Sequence, residues 1–378
     1  MTAVYLDCNA TTPMSSEVIE EIIHYMTDEF GNAGSRTHQF GQRAKKAAQW
    51  AREQVARVVD AKRSEIAFTS GATESNNLAL LGLAEYGLQE NRRHIISSSI
   101  EHKAVLEPLE RLEGQGFDIT LLSPTPGGWV SPEELSRHLR PDTLLVSLMH
   151  VNNETGIIQP VEALSACLED HDAFFHVDAA QSFGKLIRPL RNKRIDLISI
   201  SGHKIYGPKG VGALVTRRRG YKKLPIKPLM VGGGQERGLR PGTLPVHLLA
   251  GLGKAAELAL KHHAERQAKC EAFRERLLNE LAPLSPQWIG DNTQRLHNTA
   301  SLRFPGVDSE AIMVQVKGLI AISNGSACTS HSYEPSHVML AMGLTEKEAQ
   351  EVIRLSWYHD TTMPDWDAVR TVINRLHA

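Results

Sequence analysis

Seven short apolar runs, most of them separated by helical segments, impose the strongest constraint on how this chain folds. The runs are apolar on both faces and lack the polar–apolar alternation of a half-solvated sheet. They predict an α/β fold whose mainly parallel seven-stranded sheet is covered by helices. The runs are EIAFTS from Glu65, HIISSS from His94, DITLLS from Asp118, TLLVSLMHV from Thr143, AFFHVDA from Ala173, DLISISG from Asp196 and VGALVTR from Val211.

The pattern of predicted helices and strands changes after the last of these runs, and this change predicts a second domain. A long helical stretch at about His247–Leu284 reads as a connector, and an α+β pattern beginning at NTASLRF follows it. Two further helices are expected before the first strand, at Ser15–Glu29 and His38–Val59. We therefore predict a large domain over 15–250 and a smaller α+β domain from 1–14 and 251–378.

Charge and cysteine usage exclude several functional classes. With 42 Lys+Arg against 43 Asp+Glu, the chain offers no electrostatic reason to bind nucleic acid directly. Its four cysteines form no CxxC pair, so neither a disulfide framework nor a metal site is expected. The N-terminus does not resemble a signal peptide and no apolar run could span a bilayer, so we expect a cytoplasmic protein without membrane contact.

One cysteine lies in a setting that favours reactivity. Cys328 is surrounded by small and polar residues in AISNGSACTSHSYEPSHV, Ala321 to Val338. Buried structural thiols usually have apolar neighbours, whereas reactive thiols are found where water and an adaptable backbone give access. From this segment alone, Cys328 is either a nucleophile or merely a small loop residue.

A lysine and an aspartate follow two neighbouring predicted strands. Lys204 lies in SISGHKIYGPKG, and Asp178 ends the preceding strand in FHVDAAQS. A lysine of lowered pKa can form a Schiff base, and an aspartate can keep a pyridine nitrogen protonated. Alone, the lysine reads as a surface residue and the aspartate as a helix N-cap, but their joint occurrence is harder to explain in that way.

Several other motifs add polar groups near predicted strand ends. FTSGATESNNLAL opens a helix near Thr73 and could bind phosphate, although many helices begin with such residues. His102 follows a strand and could stack on a ring or move protons, and Arg354 in VIRLSW could hold a carboxylate or form a surface salt bridge. The Gly232–His247 loop could bring Thr243 to a phosphate, and the basic run Arg217–Lys223 is either solvated or a docking patch.

Taken together, the motifs resemble the pyridoxal-phosphate-dependent cysteine desulfurases, the branch that mobilises sulfur for iron–sulfur clusters and thio-modification. The resemblance runs from about Tyr5 to Thr362. It implies a fold-type-I architecture, L-cysteine as substrate, and a homodimer with active sites at the subunit interface. The matching motifs are YLDCNATTP, GNAGSRTHQFG, FTSGATESNNLAL, EHKAVL, HVNNETG, HVDAAQS, SGHKIYGPKG, GGGQERGLRPGTLPVH and NGSACTS.

The resemblance also implies a role for each candidate residue. Lys204 would form the Schiff base with pyridoxal 5'-phosphate, Asp178 would pair with the pyridine nitrogen, and His102 would stack on the ring and assist proton transfer. Arg354 would hold the substrate carboxylate, Asn153 would also contact the substrate, and Cys328 would become the persulfide. Gln181 and Asn153 would neighbour the ring oxygen, and the phosphate would be held by Ala72, Thr73, Ser201, His203 and the other subunit's Thr243.

Some positions depart from the common family pattern, namely Cys8, Asn9 and Pro241. The sequence ends with VINRLHA, where relatives that serve iron–sulfur assembly continue, and this favours DNA phosphorothioation as the destination of the sulfur. A sulfur-acceptor protein is expected in either case. A selenocysteine lyase or aminotransferase of the same fold, and a non-catalytic sulfur carrier, are the alternatives. We also expect the Cys328 thiol to lie too far from Lys204 for direct transfer in the resting state.

Overall fold

The computed structural model describes residues 3–324 and 335–376. Its strands are β1 (Val4–Tyr5), β2 (Ile66–Thr69), β3 (His94–Ser98), β4 (Asp118–Leu122), β5 (Thr143–Met149), β6 (Phe174–Asp178), β7 (Leu197–Ser201), β8 (Gly212–Thr216), β9 (Gln287–Trp288), β10 (Thr299–Arg303), β11 (Ile320–Ala321) and β12 (Val352–Ser356).

Helices cover both sheets and connect their strands. They are α1 (Ser16–Thr27), α2 (Gln39–Val59), α3 (Ala72–Leu81), α4 (Ala84–Gln89), α5 (Lys103–Glu113), α6 (Pro132–His138), α7 (Val161–Cys167), α8 (Ile187–Leu190), α9 (Val246–Lys261), α10 (His263–Leu281), α11 (Ser309–Val316), α12 (His337–Ala341), α13 (Glu346–Ala349) and α14 (Trp366–Leu376).

The large sheet has seven strands in the order β2-β8-β7-β6-β5-β3-β4 and is mainly parallel, as the sequence predicts. Only the pairings of β8 with β2 and β7 are antiparallel within it. One expectation about these strands is wrong. The edge strand β4 is largely solvent-accessible, with Asp118 and Leu121 exposed, whereas the opposite edge strand β2 is buried.

Helices bury the two faces of the large sheet in separate hydrophobic cores. On one face, α2 and α9 pack against each other and α1 packs on α9, and the core beneath them includes Val55, Phe175 and Leu252. On the other face, α3 and α5 pack together over Leu145 and Leu197. This double cover explains why the central strands are apolar on both sides.

The C-terminal part builds a smaller antiparallel sheet, in the order β12-β10-β9, with α10, α11 and α14 packed around its core. The N-terminal strand β1 pairs in parallel with β11, and Leu6 is fully buried in this second core. The long helical stretch before it is two helices, because His262 leaves helical geometry between α9 and α10. The domain boundaries themselves remain a prediction.

Within residues 3–324 and 335–376, no helix is long and apolar enough to cross a membrane.

Candidate active site

A cavity of about 710 Å³ opens at the carboxyl ends of the parallel strands, where α/β sheets usually bind their ligands. Its walls come from the loops after β2, β3, β5, β6 and β7, from the N-terminal segment and from β12. The polar residues that line it are Asn9, Thr11, Ser70, Thr73, Asn76, His102, Asn153, Asp178, Gln181, Ser201, His203, Lys204, Lys209 and Arg354.

Lys204 ends a short 3-10 turn directly after β7. Its Nζ donates to the carbonyl oxygens of Asn9 and Ala10, the latter at 2.8 Å. The N-terminal segment is fixed to the same turn, because Thr12 donates from its backbone N–H (3.0 Å) and its hydroxyl (2.8 Å) to the His203 carbonyl. The Lys204 side chain therefore lies against the backbone of residues 9–12 where it enters the cavity.

Asp178 is the last residue of β6 and is 6% exposed. One carboxylate oxygen accepts from the Asn76 side-chain amide at 2.7 Å, and the other accepts from the Ala180 backbone N–H at 2.8 Å. No α-helix begins directly after Asp178, so the N-cap alternative does not apply. The carboxylate is instead held in place as a fixed negative charge on the cavity wall.

Gln181, Asn153 and Asn9 form a connected polar group beside this carboxylate. The Asn9 carbonyl accepts from Gln181 Nε2 at 2.9 Å, while Asn9 Nδ2 donates to the Asn153 carbonyl at 3.1 Å. The Oε1 atom of Gln181 is buried and has no hydrogen-bond partner among the described residues. Because buried polar atoms are normally satisfied, this oxygen marks a place for a ligand or water.

The first turn of α3 offers unused backbone donors to the cavity. Gly71 precedes this helix and provides no side-chain cap, so the N–H groups at its start point toward an open space lined by Ser201 and His203. Close approach of this loop requires Gly212, since a Cβ there would lie 2.7 Å from the Gly71 Cα atom. The result is a site suited to an anion.

His203 contributes a neutral imidazole to this anion site. Its Nδ1 lies 3.1 Å from the Thr11 hydroxyl. Burial, together with the positive charge of Lys204, lowers the pKa of His203 to about 4. At neutral pH the ring is therefore uncharged and has one N–H to donate.

His102 is the N-cap of α5 and lies at the cavity rim. Its Nδ1 accepts the Ala104 backbone N–H at 3.0 Å. In the neutral ring the proton is thus on Nε2. This hydrogen bond also orients the imidazole plane, which a ring-stacking role would require.

Arg354 reaches the cavity from β12 and is 3% exposed. One terminal nitrogen donates to Asp7 Oδ1 at 2.6 Å and the other to the Asn153 carbonyl at 2.9 Å. Its Nε is buried without a partner among the described residues. The surface salt-bridge alternative is therefore wrong, since this arginine is a buried cation with donors left over.

Two of the predicted site residues, Thr243 and Cys328, stand apart from this set. Thr243 is exposed and does not line the cavity of its own chain, so its approach to another subunit's cavity remains a prediction. Cys328, and with it the predicted distance to Lys204, lies outside the described residues.

Sequence reasoning missed Asp7, Asn76 and Glu154, which hold the predicted residues in place. Glu154 is 5% exposed, and its carboxylate accepts a hydrogen bond from the Ser336 hydroxyl. Burial raises the pKa of Glu154 to about 7, against the opposing effects of Ser336, Arg354 and His102. Asp7 and Glu154 lie within motifs noted in the sequence, but nothing there indicates their partners.

Comparisons with known proteins agree on one family. Residues 4–369 match the class-V aminotransferases. The cysteine desulfurase IscS of Shewanella sp. (strain W3-18-1) is 45% identical over 377 residues, which cover 99% of this chain and 92% of that protein.

Solved structures lead to the same assignment. DndA from Streptomyces lividans is 52% identical with a TM-score of 0.82, covering 92% of this chain and 98% of that chain. SspA, solved in complex with cysteine, is 40% identical with a TM-score of 0.82, covering 94% of this chain and 98% of that chain. The chain therefore belongs to the class-V aminotransferase family and, within it, to the cysteine desulfurases.

Proposed function

We propose that the chain converts L-cysteine to L-alanine and passes the sulfur, as a persulfide of Cys328, to an acceptor protein. The observation that carries this proposal is the convergence of Lys204, Asp178 and Arg354 on one cavity. An amine, a fixed carboxylate and a buried guanidinium are the groups needed to hold an amino acid against a carbonyl cofactor.

The cavity's unused donors and acceptors suit pyridoxal 5'-phosphate. The uncapped start of α3, with Ala72, Thr73, Ser201 and His203, would hold the phosphate, and Asp178 would pair with the pyridine nitrogen. Gln181 and Asn153 would neighbour the ring oxygen. When bound, this cofactor supplies an electron sink that stabilises negative charge at the substrate Cα.

The chain's own groups position the substrate and handle protons. Arg354, held by Asp7 and by the Asn153 carbonyl, retains N–H donors for the cysteine carboxylate. Lys204 would hold the cofactor covalently, and its amine would serve as the base for the substrate Cα proton. His102 would stack on the cofactor ring with its proton on Nε2, because Nδ1 accepts the Ala104 N–H.

Sulfur transfer is then a thiol displacement. The Cys328 thiolate attacks the cysteine sulfur, so that the Cβ–S bond breaks while an S–S bond forms, and the Cβ carbon takes up a proton. The sum is cysteine plus enzyme thiol giving alanine plus enzyme persulfide, in which no external oxidant or reductant is consumed. The persulfide is passed to a thiol of the acceptor protein.

We propose DNA phosphorothioation as the destination of the sulfur. The 52% identity to DndA, against 45% to the IscS of Shewanella, supports this branch over iron–sulfur assembly. The enzyme itself would not contact DNA, since its net charge of −1 provides no general attraction for a polyanion.

We also propose a homodimer. Helix α1 carries an exposed apolar stripe formed by Ile19, Ile23 and Met26, which are 42%, 52% and 59% exposed. The stripe continues into Phe30, whose ring lies 5.5 Å from that of Phe40. Contiguous exposed apolar surface of this kind is typical of subunit interfaces, and a partner subunit would supply Thr243.

Replacing Cys328 tests the proposal directly. In Cys328→Ala, cofactor absorbance should be retained, whereas alanine and persulfide formation from cysteine should fall to background. Cys167→Ala is the matched control, because Cys167 is a partly exposed free thiol on α7, away from the cavity, and it should keep full turnover. Full turnover in the Cys328 variant would favour a lyase or aminotransferase, and a colourless wild-type protein would favour the non-catalytic carrier.

A further inference from the structure

We propose that a second, small cavity binds a monovalent anion between Lys185 and Arg266. The cavity has a volume of about 40 Å³ and lies between α10, the turn after Gln181 and residues 296–298. It is separate from the cofactor cavity, and the two share no lining residue. Its size suits a species of one to three heavy atoms, since a single water needs roughly 10–15 Å³ by the same measure.

Lys185 presents a buried amine without a partner. Part of its stem is exposed, but Nζ is out of reach of solvent and has no hydrogen-bond partner among the described residues. Burial lowers the pKa of Lys185 to about 8, so the amine is still largely protonated at neutral pH. A buried ammonium without hydrogen bonds or counter-charge is costly, and such groups normally have a partner.

The two nearby thiols do not supply the missing negative charge. Cys8 and Cys270 are the groups whose charges would act on Lys185, and both are buried. Burial raises the pKa of the Cys8 thiol to about 12 and that of the Cys270 thiol to about 11. At neutral pH both are uncharged, so neither is a counter-ion for Lys185, and only Cys270 lines the cavity.

Arg266 adds a second cation to the same cavity. Its guanidinium lies 4.9 Å above the Tyr206 ring, and none of the described residues accepts a hydrogen bond from it. The carboxylates that act on its charge are those of Glu17, Asp360 and Glu265, and the last two already lie 3.3 Å and 3.0 Å from Lys269 Nζ. The cavity is therefore positively charged and has free N–H donors, the conditions under which a small anion binds.

Asn298 narrows the choice of anion. Its Nδ2 donates to the Trp357 carbonyl at 3.1 Å, which leaves Oδ1 buried and without a partner beside the cavity. An anion that also carries a proton would satisfy this oxygen. Hydrosulfide has the right charge, size and single donor, and it is released when a thiol reduces a persulfide to a disulfide. This choice of anion rests on the proposed function, whereas the anion site itself does not.

Anomalous diffraction tests the site without reference to activity. Crystals of the holoenzyme soaked in sodium bromide should show an anomalous peak between Lys185 Nζ and the Arg266 guanidinium. Soaking with added sodium hydrosulfide under anaerobic conditions should reduce the bromide occupancy, and sodium formate should do so less. Density fitted only by water, with no bromide peak, would overturn the anion site. A bromide peak that formate displaces as well as hydrosulfide does would overturn the choice of hydrosulfide.

Variants give a second readout in solution. At fixed ionic strength, bromide should raise the thermal midpoint of the wild-type holoenzyme above its value in gluconate, an anion too large for the cavity. Lys185→Met should abolish this shift. Arg266→Gln should weaken bromide binding about tenfold, the effect of one charge-assisted hydrogen bond.

Lys261→Met is the matched control, since Lys261 is exposed at the end of α9. Its bromide-induced shift should equal that of the wild type. Equal shifts in the Lys185 and Lys261 variants would show non-specific salt stabilisation and would contradict the proposal. If Lys185→Met does not fold, the Arg266→Gln titration decides the question in the same way.

Discussion

Glu101 is a buried carboxyl group directly behind the proposed cofactor site. It is fully buried, and Oε1 accepts from the Ser98 hydroxyl at 2.6 Å and from the Met149 N–H at 3.0 Å. Its Oε2 has no partner among the described residues. Burial, and secondarily the charge of Asp178, raises the pKa of Glu101 to about 8. At neutral pH the group is therefore mostly protonated, which avoids a second negative charge near Asp178.

This raised pKa predicts a pH-dependent stability. The native state binds a proton that the unfolded chain releases near its ordinary value of 4.5, so stability falls as pH rises from 4.5 to about 8. The slope from this group is roughly 1.4 kcal/mol per pH unit. Glu101→Gln keeps the Oε1 acceptor and removes the titration, so it should be more stable than the wild type above pH 8.

Urea unfolding at fixed protein concentration and several pH values measures the effect. The difference in unfolding free energy between Glu101→Gln and wild type should grow steadily between pH 5 and pH 8. Glu107→Gln, at an exposed position on α5, is the control and should leave the slope unchanged. Parallel pH profiles for wild type and Glu101→Gln would contradict the raised pKa.

The sequence predicts those residues of the candidate site whose position next to a strand end already indicates their role. Asp178 ends β6, and His102 and Lys204 lie a few residues after β3 and β7, so the fold alone brings them to one edge of the sheet. The residues that hold the site residues in place could not be predicted from the sequence. Asp7, for example, accepts a hydrogen bond from Arg354, which lies 347 positions away, and only the folded chain brings the two together. The same holds for Lys185, whose burial depends on packing against α10 rather than on local sequence.

At the scale of elements, α12 is attached to two of the loops that carry site residues, those after β3 and β5. Ser336 is its N-cap, accepting the Met339 N–H at 3.3 Å, and the same hydroxyl donates to the Glu154 carboxylate. The imidazole of His337 hydrogen-bonds the Glu101 carbonyl at 2.9 Å. The helix that follows residues 325–334 is thus fixed to the loops bearing Asn153 and His102.

Removing this attachment should affect catalysis beyond its cost in stability. Ser336→Ala removes a helix cap, a loss of about 1 kcal/mol, and also leaves the Glu154 carboxylate without its donor. We expect kcat/KM for cysteine to fall severalfold while cofactor absorbance is retained. Steady-state kinetics combined with thermal unfolding would measure both effects.

Thr345→Ala provides the control, since Thr345 caps α13 in the same way, accepting the Glu348 N–H at 3.3 Å, away from the cavity. It should cost similar stability and leave kcat/KM unchanged. Equal kinetic losses in the two variants would show that the attachment of α12 to Glu154 has no specific role.

The helices and strands differ in how far sequence patterns define them. The seven apolar runs all form strands of the large sheet, because burial on both faces leaves a continuous apolar pattern. The same pattern does not reveal how far each strand is covered, so β4 was expected to be buried and is exposed, although the other edge strand β2 is buried. The sequence also does not predict the break at His262 between α9 and α10, because no glycine or proline stands there.

At the scale of the whole molecule, the exposed apolar stripe on α1 predicts where two chains meet. Ile23→Glu combined with Met26→Lys places opposite charges on a face that would be buried in a dimer, where charged groups lose their hydration. Analytical ultracentrifugation should show the double variant shifted toward the 41.8 kDa monomer. Because Thr243 would then be missing from each partner's cavity, cofactor retention on dialysis should also fall.

Leu121→Lys tests an alternative interface at the edge of the large sheet. Leu121 is 46% exposed on the edge strand β4, an alternative place for two chains to pair. If α1 forms the interface, this variant stays dimeric and keeps its cofactor. If instead Leu121→Lys dissociates the dimer while the α1 double variant remains associated, the interface lies at the sheet edge, and the proposed contribution of Thr243 from a partner subunit would fail with it.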